Sequence, residues 1–454
     1  MKALVYGLAV AGEATVRAMQ SRGIDVLAAD DTSTPERLAL AGDLGVDLEV
    51  APDDTALERL LGAVDLVVPA PGVPEGHRLF AAATAREVDV VSEIELAYRW
   101  EQERPGGPRP MLAVTGTDGK TTTTLLAVEM LAAAGVRSVA AGNTEVPLVT
   151  ALDLDLDAFV VECTSFRLAW TEQFRGESAA WLNLAPDHLN WHRSYATYGD
   201  AKNRIFANQR PSDAAIGFAD DADVMRYLAA APARHVTFAA DGADYRVVDG
   251  VLTGPTGQLA PVSALSRRLP HDITNGLAAS ALVLEAGLAS TDAVAAALGT
   301  FTGPPHRIEL VGEIDGVEYY NDSKATTPHA AATAIAAFDH VVLIAGGRNK
   351  DLDLSPMVAQ PHRIRAVVAI GDAADLIADL FAGVAPIHRA STMPDAVDVA
   401  GAAARSGDVV LLSPGCASYD WYSGYEARGD DFRRIVQALA AGIPPAPHEE
   451  TATP

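Results

Sequence analysis

Short apolar runs alternate with longer segments of helical period almost from one end of this chain to the other. Runs of four to eight apolar or β-branched residues, each followed by a helix-length segment, mark successive βα units and parallel sheets. The first unit is a strand at Ala3–Tyr6, a tight turn over Gly7–Gly12 and a helix from Glu13 to Gln20 that Gly23 ends. Strands follow at Asp25–Ala29, Asp65–Pro69 and Asp89–Val91, and this first block closes near Trp100. The stretch Glu101–Pro110 holds three prolines and two glycines among charges and reads as a linker. A second block carries strands at Met111–Thr115, Phe159–Glu162 and Ala179–Leu184 and a helical stretch over Asn275–Leu298. The turn Thr302-Gly303-Pro304-Pro305 opens a third, with strands at Val317–Asn321, Val341–Ala345, Ala366–Ile370 and Val409–Leu412. Residues Ile443–Pro454 are Pro-rich and expected to fray. The pattern predicts an α/β protein, and 454 residues are enough for three domains of ordinary size.

Composition narrows the class. A hydrophobic share of 49% beside 21% charged residues excludes wholesale disorder. The formal charge of -26 is spread over all three blocks, so there is no acidic tail, and gripping nucleic acid by phosphate neutralisation is excluded as the main task. Two cysteines, Cys163 and Cys416, form neither a disulfide framework nor a zinc site by themselves, which points to a reducing cytoplasm. No uncharged apolar stretch approaches the ~18 residues of a membrane span. Met1-Lys2 followed by Ala3–Gly12, with Ala9-Val10-Ala11, also has the outline of a short signal peptide; the strand and turn reading is preferred.

The sharpest local signal is Gly116-Thr117-Asp118-Gly119-Lys120-Thr121-Thr122, set between the strand ending at Thr115 and a helix over Thr123–Ala133. Glycines let backbone amides turn toward a phosphate, and the helix N-terminus adds a favourable dipole. Lys120 supplies a point charge, and the Thr121 hydroxyl can reach Mg2+. The usual spacing needs a glycine at position 114, which is a valine, so this is a shortened variant. The turn Gly7-Leu8-Ala9-Val10-Ala11-Gly12 is a weaker dinucleotide-type signal, with Ala9 at the second glycine and Asp30 or Asp31 where a ribose-binding acid is expected. By itself it fits nucleotide binding and a structural βα turn equally.

Several spaced segments together resemble the Mur ligases, ATP-dependent amide-forming enzymes of peptidoglycan precursor synthesis. They are the phosphate loop Thr115–Thr122, Asp187-His188 with Lys202, His306-Arg307, and Asn321-Asp322-Ser323-Lys324-Ala325-Thr326. Gly346-Gly347-Arg348-Asn349-Lys350, Ser413–Asp420 and Gly424–Gly429 are most similar to the glutamate-adding members. The resemblance covers all three blocks in order. It implies a UDP-substrate-binding Rossmann-like domain at 1–104, a central P-loop ATPase-like domain with a mostly parallel sheet at 105–302, and a glutamate-binding Rossmann-like domain at 303–454. It also implies a reaction: ATP phosphorylates the carboxylate of UDP-N-acetylmuramoyl-L-alanine, and the amine of glutamate, D-glutamate in this branch, displaces phosphate from the acyl phosphate. Both reacting centres are anionic, so positive side chains and metal ions must neutralise charge there.

The roles that follow are those the resemblance implies. Gly116, Thr117, Asp118, Gly119, Lys120, Thr121 and Thr122 hold the ATP phosphates, with Asn275 at the adenine, Arg307 at the γ-phosphate and Asp322 on the ribose or phosphate side. Thr121 and Glu162 hold one Mg2+, and His188 is a ligand of a second. Lys202 carries CO2 as a carbamate and so joins the metal site; helical context alone would read it as an exposed lysine. Lys120, His188 and Lys202 form the catalytic group. Val10, Ala11, Asp31, Thr32, Pro71 and Gly72 touch the uridine and pyrophosphate, and Asn143 the muramoyl end. Lys324, Thr326, Lys350, Ser418, Tyr419 and Tyr425 form the glutamate pocket, where two carboxylates call for donors. The bland readings are a solvated strand-end acid for Glu162, a structural histidine for His188, and helix N-caps for Asp272 and Thr274.

Three positions depart from the family pattern: Asp118 and Asp272 stand where asparagines are usual, and Arg167 where glutamine is. Arg167 is a candidate partner for either acid. The rival readings are another Mur ligase or a folylpolyglutamate synthase-like ligase, an NAD-dependent oxidoreductase resting on Gly7–Gly12, and a non-catalytic nucleotide switch. A monomer with no nucleic-acid partner and no membrane insertion is expected.

Overall fold

The computed structural model describes residues 1–350 and 352–443. The fraying expected of Ile443–Pro454 therefore concerns, past Ile443, positions outside the described residues. The chain divides into two compact units, Met1–Phe301 and a second that begins at Thr302.

The first unit holds two parallel sheets. In the N-terminal one the strand order is Leu48–Val50, Asp25–Asp30, Lys2–Tyr6, Leu66–Pro69, Asp89–Val90, all parallel. Lys2–Tyr6 is its central strand and is covered on both faces, as an uninterrupted apolar run requires. Ala3 and Val5 enter one apolar cluster, and Leu4 and Tyr6 another. A segment so placed is a structural strand, as the preferred reading of this segment expects. The order reverses between Lys2–Tyr6 and Leu66–Pro69, the switch point where open α/β sheets bind ligands at their carboxyl ends.

The second sheet runs Arg234–Phe238, Ala214–Phe218, Ser178–Trp181, Met111–Thr115, Ala158–Glu162, Ser138–Gly142, again all parallel. One apolar cluster continues from Val5 and Val16 through Ile94 and Leu148 to Trp181 and Phe206, so the two sheets share a core. The segment 101–110 is tethered at both ends: Arg109 makes a buried pair with Glu101 (2.8 Å) and donates to the carbonyls of Leu152 and Leu154. A small antiparallel sheet (Arg246–Val248, Val251–Gly254, Gly257–Pro261) completes the unit.

In the second unit six strands run Glu309–Ile314, Val317–Asn321, Val409–Gly415, Val341–Gly346, Ile364–Ile370, Ile387–Arg389; all are parallel except the first pair. The expected mixed α/β class with parallel sheets is therefore present. Several elements differ from expectation, two of them here. The stretch Asn275–Leu298 is two helices, Pro270–Glu285 and Thr291–Thr300, because Gly287 turns the chain at φ 69° and Ser290 caps the second helix. The strand expected to reach Leu184 stops at Trp181, and the residues after it leave the sheet to brace the phosphate loop.

Among the described residues no helix is long and apolar enough to cross a membrane. Cys163 and Cys416 are free and buried, and burial raises both thiols.

Candidate active site

The phosphate loop sits at the carboxyl end of Met111–Thr115, flanked in the sheet by Ala158–Glu162 and Ser178–Trp181. The helix that follows, Lys120–Ala133, begins three residues earlier than its apolar pattern suggested, with Gly119 at its N-cap at φ 82°. A side chain at Gly119 would put its Cβ 2.5 Å from Asn275 Oδ1, so glycine is what lets Asn275 close on the loop. The loop's shape is set by Asn183, whose Oδ1 accepts from the backbone N–H of Thr117 (2.9 Å) and Asp118 (2.8 Å). Asn183 was not singled out from sequence; the available signal was its place just past the strand that flanks the loop. Asp118 is exposed, so the charge replacing the usual asparagine faces outward.

Lys120 Nζ folds back onto the carbonyls of Gly116 (2.9 Å) and Thr117 (2.8 Å). Lys202, in the helix Tyr195–Ala207, is not the exposed lysine that helical context suggests. It is 1% exposed, its Nζ donates to the same Gly116 carbonyl at 2.6 Å, and it lies 4.7 Å from the centre of the Tyr198 ring. Burial, reinforced by the charge of Lys120, holds its amine well below the ordinary lysine range.

Glu162 is buried at the end of its strand, so the solvated-acid reading fails. Its Oε1 accepts from Asn143 Nδ2 (2.8 Å), while Oε2 is buried with no hydrogen-bond partner. His188 is a half-exposed residue at φ 53°, in contact with Asp187 (3.2 Å) and with its ring 4.7 Å from that of Phe166. Desolvation lowers its basicity; Asp187 opposes this, and Lys120 and Lys202 add to it. A buried carboxylate oxygen without a partner is costly unless something cationic meets it. No group of three His, Cys, Asp or Glu side chains is gathered among the described residues. Mg2+ takes one or two protein ligands and completes its shell with phosphate and water, and the unpartnered Glu162 oxygen suits such an ion.

Arg167 pairs with neither acid suggested for it. Its guanidinium donates to Asn143 Oδ1 (3.1 Å) and meets Glu93 (3.5 Å). Asp272 is matched instead by Arg267 (2.8 Å). The helix Pro270–Glu285 has Leu269 at its N-cap and no side-chain cap, so Asp272 and Thr274 are not capping residues.

At the switch point of the N-terminal sheet lies a small pocket lined by Ala11, Pro71, Glu93, Phe166 and Arg167 among others. Asp30 and Asp31, which sequence could not separate, have different duties. Asp30 is buried and accepts from Leu8 N (2.8 Å), Thr32 N (3.0 Å) and Arg37 (2.7 Å). Asp31 is exposed and meets Tyr6 Oη (2.6 Å) and His77 (3.3 Å). Val10, Thr32 and Gly72 are exposed along the same edge.

In the second unit, Asp322 is buried and accepts from Ser413 Oγ (2.7 Å) and Ile308 N (3.2 Å). Lys324 is exposed beside the Tyr425 ring (5.6 Å), and Lys350 beside the Tyr419 ring (5.6 Å). Thr326 is half-buried in the segment that begins at Asp322, Ser418 is buried, and Tyr419 is exposed. Arg307 follows His306, which takes φ 60°. The group is organised by Arg428, which sequence reading passed over: buried in its helix, it donates to Ser323 Oγ (2.9 Å), Ser323 O (2.9 Å) and Cys416 O (3.2 Å). Desolvation lowers its guanidinium to about 10.

Comparison with known proteins gives these geometries a family. Residues 114–267 match the Mur ligase middle domain, and residues 306–416 the Mur ligase glutamate ligase domain. The UDP-N-acetylmuramoylalanine–D-glutamate ligase of Frankia casuarinae is 43% identical over 449 residues, covering 96% of this chain and 93% of its own. The protein of the same name from Myxococcus xanthus is 39% identical, with 96% and 98% covered. Among solved structures, the UDP-N-acetylmuramate-alanine ligase of Thermotoga maritima superimposes with a TM-score of 0.56 at 19% identity, covering 97% of this chain and 100% of that one. FolC of E. coli, in complex with DHPP and ADP, gives 0.53 at 18%, with 78% and 93% covered. At such identities the structural matches establish the fold alone, whereas the near-full-length relatives decide the family. The chain belongs to the Mur ligases, on the branch of the UDP-N-acetylmuramoylalanine–D-glutamate ligases.

Proposed function

We propose that this chain joins D-glutamate to UDP-N-acetylmuramoyl-L-alanine at the expense of ATP, releasing ADP and phosphate, in the cytoplasmic assembly of peptidoglycan precursors. The observation that carries this reading is the convergence of Lys120 and Lys202 on the Gly116 carbonyl, in the same sheet end that carries the unpartnered Glu162 oxygen. A phosphate loop alone fits many nucleotide enzymes; a buried second lysine against it does not fit an NAD-dependent oxidoreductase or a simple switch.

Residues 1–104 take the UDP end, 105–302 take ATP, and 303–454 take glutamate. Val10, Ala11, Asp31, Thr32, Pro71 and Gly72 line the nucleotide edge of the first cleft, with Asn143 toward the muramoyl end. Lys120 and the helix N-terminus behind Gly119 hold the ATP phosphates, with Asn275, Arg307 and Asp322 as further ATP contacts. Lys324, Thr326, Lys350, Ser418, Tyr419 and Tyr425 receive the amino acid. Thr121, Glu162, His188 and a carbamate on Lys202 would hold two Mg2+ ions. Bound there, they would neutralise charge between the phosphoryl group and the attacking carboxylate. The muramoyl-alanine carboxylate attacks the γ-phosphorus and displaces ADP. The glutamate amine then adds to the acyl phosphate carbonyl, gives up a proton, and phosphate leaves as the amide forms.

The test is phosphate release from ATP with UDP-N-acetylmuramoyl-L-alanine, comparing D-glutamate, L-glutamate, D-aspartate and lysine as acceptors and using Lys120→Ala as the blank. Release that requires D-glutamate, and that the blank lacks, is the expected result. Failure with both glutamate isomers would sink the assignment.

A further inference from the structure

His188 poses a problem that its own side chain does not solve. It is a non-glycine residue in the left-handed region, half exposed, and such a conformation persists only when its surroundings hold it. What holds it is the turn that follows: its carbonyl accepts from the N–H of Trp191 (2.9 Å) and of His192 (3.0 Å). Those two residues are anchored outside their own sheet, on the loop after the strand Leu66–Pro69, which lines the switch-point cleft. Trp191 Nε1 donates to Pro71 O at 2.9 Å, and Glu75 N donates to Trp191 O at 3.3 Å. Glu75 Oε2 lies 3.4 Å from both Arg193 N and His192 Nδ1. The Phe166 ring packs against both His188 and Trp191, with centroids 4.7 and 4.8 Å away, and Phe166 also lines the cleft.

We propose that Trp191 is a positioning residue: a strut through which the loop of Pro71 and Gly72 sets the His188 imidazole, so that filling the UDP-substrate cleft readies the metal site. The inference rests on the roles of Pro71, Gly72 and His188 under the proposed function. It goes beyond them, because Trp191 touches neither substrate nor metal in that scheme. The indole is suited to the task. Buried aromatic N–H groups take a partner, and here that partner is a backbone carbonyl in the substrate loop, so a shift of the loop is passed to the turn that fixes His188.

The deciding variant is Trp191→Phe, which keeps an aromatic ring beside Phe166 and removes the five-membered ring of the indole with its N–H. Loss of one such bond is worth roughly a three- to tenfold effect. In the full-length protein, Mn2+ binding followed by electron paramagnetic resonance should tighten on addition of UDP-N-acetylmuramoyl-L-alanine, and the variant should lose that tightening. Its kcat should fall about three- to tenfold while KM for ATP stays unchanged. Glu75→Ala, which cuts the strut from the other side, should act in the same direction and decides the matter if Trp191→Phe folds poorly. A metal response as strong as that of the unaltered chain, or a kcat and KM for ATP that fall together with thermal stability, would overturn the strut. Absence of turnover in the unaltered chain would instead sink the ligase reading, with the metal response still judging the strut.

Discussion

A lysine with 1% of its surface exposed, bonded to the backbone of a phosphate loop, is an expensive thing to keep as a cation. Among the described residues no carboxylate lies within ion-pair distance of Lys202, and Lys120 shares its acceptor at Gly116 O, so the geometry favours the neutral amine. A neutral amine is what reacts with CO2, and a carbamate formed there would put an oxygen ligand where the chain itself offers few. The expected outcome for Lys202→Ala is a loss of turnover partly restored by short-chain carboxylic acids, whose carboxylate occupies the emptied space. Rescue is read as phosphate release against acid concentration. No rescue by any acid small enough to enter, or an unmodified ammonium with both metals bound, would refute the carbamate. This residue was singled out only through the family resemblance, and its burial was not legible at all, since it depends on a loop 86 residues away. The same distance hid Asn183, which acts on Thr117 and Asp118 across 66 and 65 residues. Asp30 and Asp31 defeated sequence reading for the opposite reason: Asp30 ends its strand and Asp31 begins the turn beyond it, and only the fold says which of the two neighbours meets solvent.

At the scale of elements, the turn Gly7–Gly12 shows what a motif with a missing glycine still requires. The helix after it starts at Val10, not Glu13, because Glu13 N already bonds to Ala9 O (2.8 Å) and Asp30 fixes Leu8 from the neighbouring strand. Ala9 is exposed and therefore harmless, whereas a Cβ at Gly12 would fall 2.1 Å from Gly7 O. Gly12→Ala is therefore expected to destabilise the protein by ~1 to 3 kcal/mol through forced displacement of the turn. It should also raise KM for the UDP substrate while leaving KM for ATP alone. Thermal denaturation together with steady-state KM values checks both. Elements such as Lys2–Tyr6 and Val341–Gly346 were visible because they are buried on both faces and read as unbroken apolar runs. Strands poor in branched residues, such as Ser138–Gly142, and the edge strand Glu309–Ile314, with its charges and register shift, gave no such signal.

Across the first unit as a whole, the apolar core shared by its two sheets is supplemented by buried carboxylates of a single helix, Glu93–Gln102. Acids at this density on a helix suggest a solvated face, yet Glu93, Glu95 and Glu101 are all buried. Glu95 accepts the backbone N–H groups of Glu172, Gln173 and Phe174, and Glu101 holds Arg109. Glu93 is the least well compensated: Oε1 accepts from Val149 N at 2.8 Å, but Arg167 stands 3.5 Å from Oε2. Burial raises its carboxyl above the ordinary value of 4.5, outweighing the opposing pull of Arg167. The sign of the pH effect follows from proton counting. Above 4.5 the unfolded chain has released this proton and the folded chain still holds it, so the folded state binds more protons and stability falls as pH rises. The contribution is complete below 4.5 and is lost as pH climbs through the raised folded value. Glu93→Gln keeps an acceptor for Val149 N and cannot ionise, so it lacks this loss. The difference in melting temperature, variant minus unaltered chain, is expected to widen as pH rises above 4.5 and to level off once pH passes the raised folded value. A difference that narrows over that range would mean that Arg167 holds the carboxylate ionised, and that the two sheets are joined by a working ion pair.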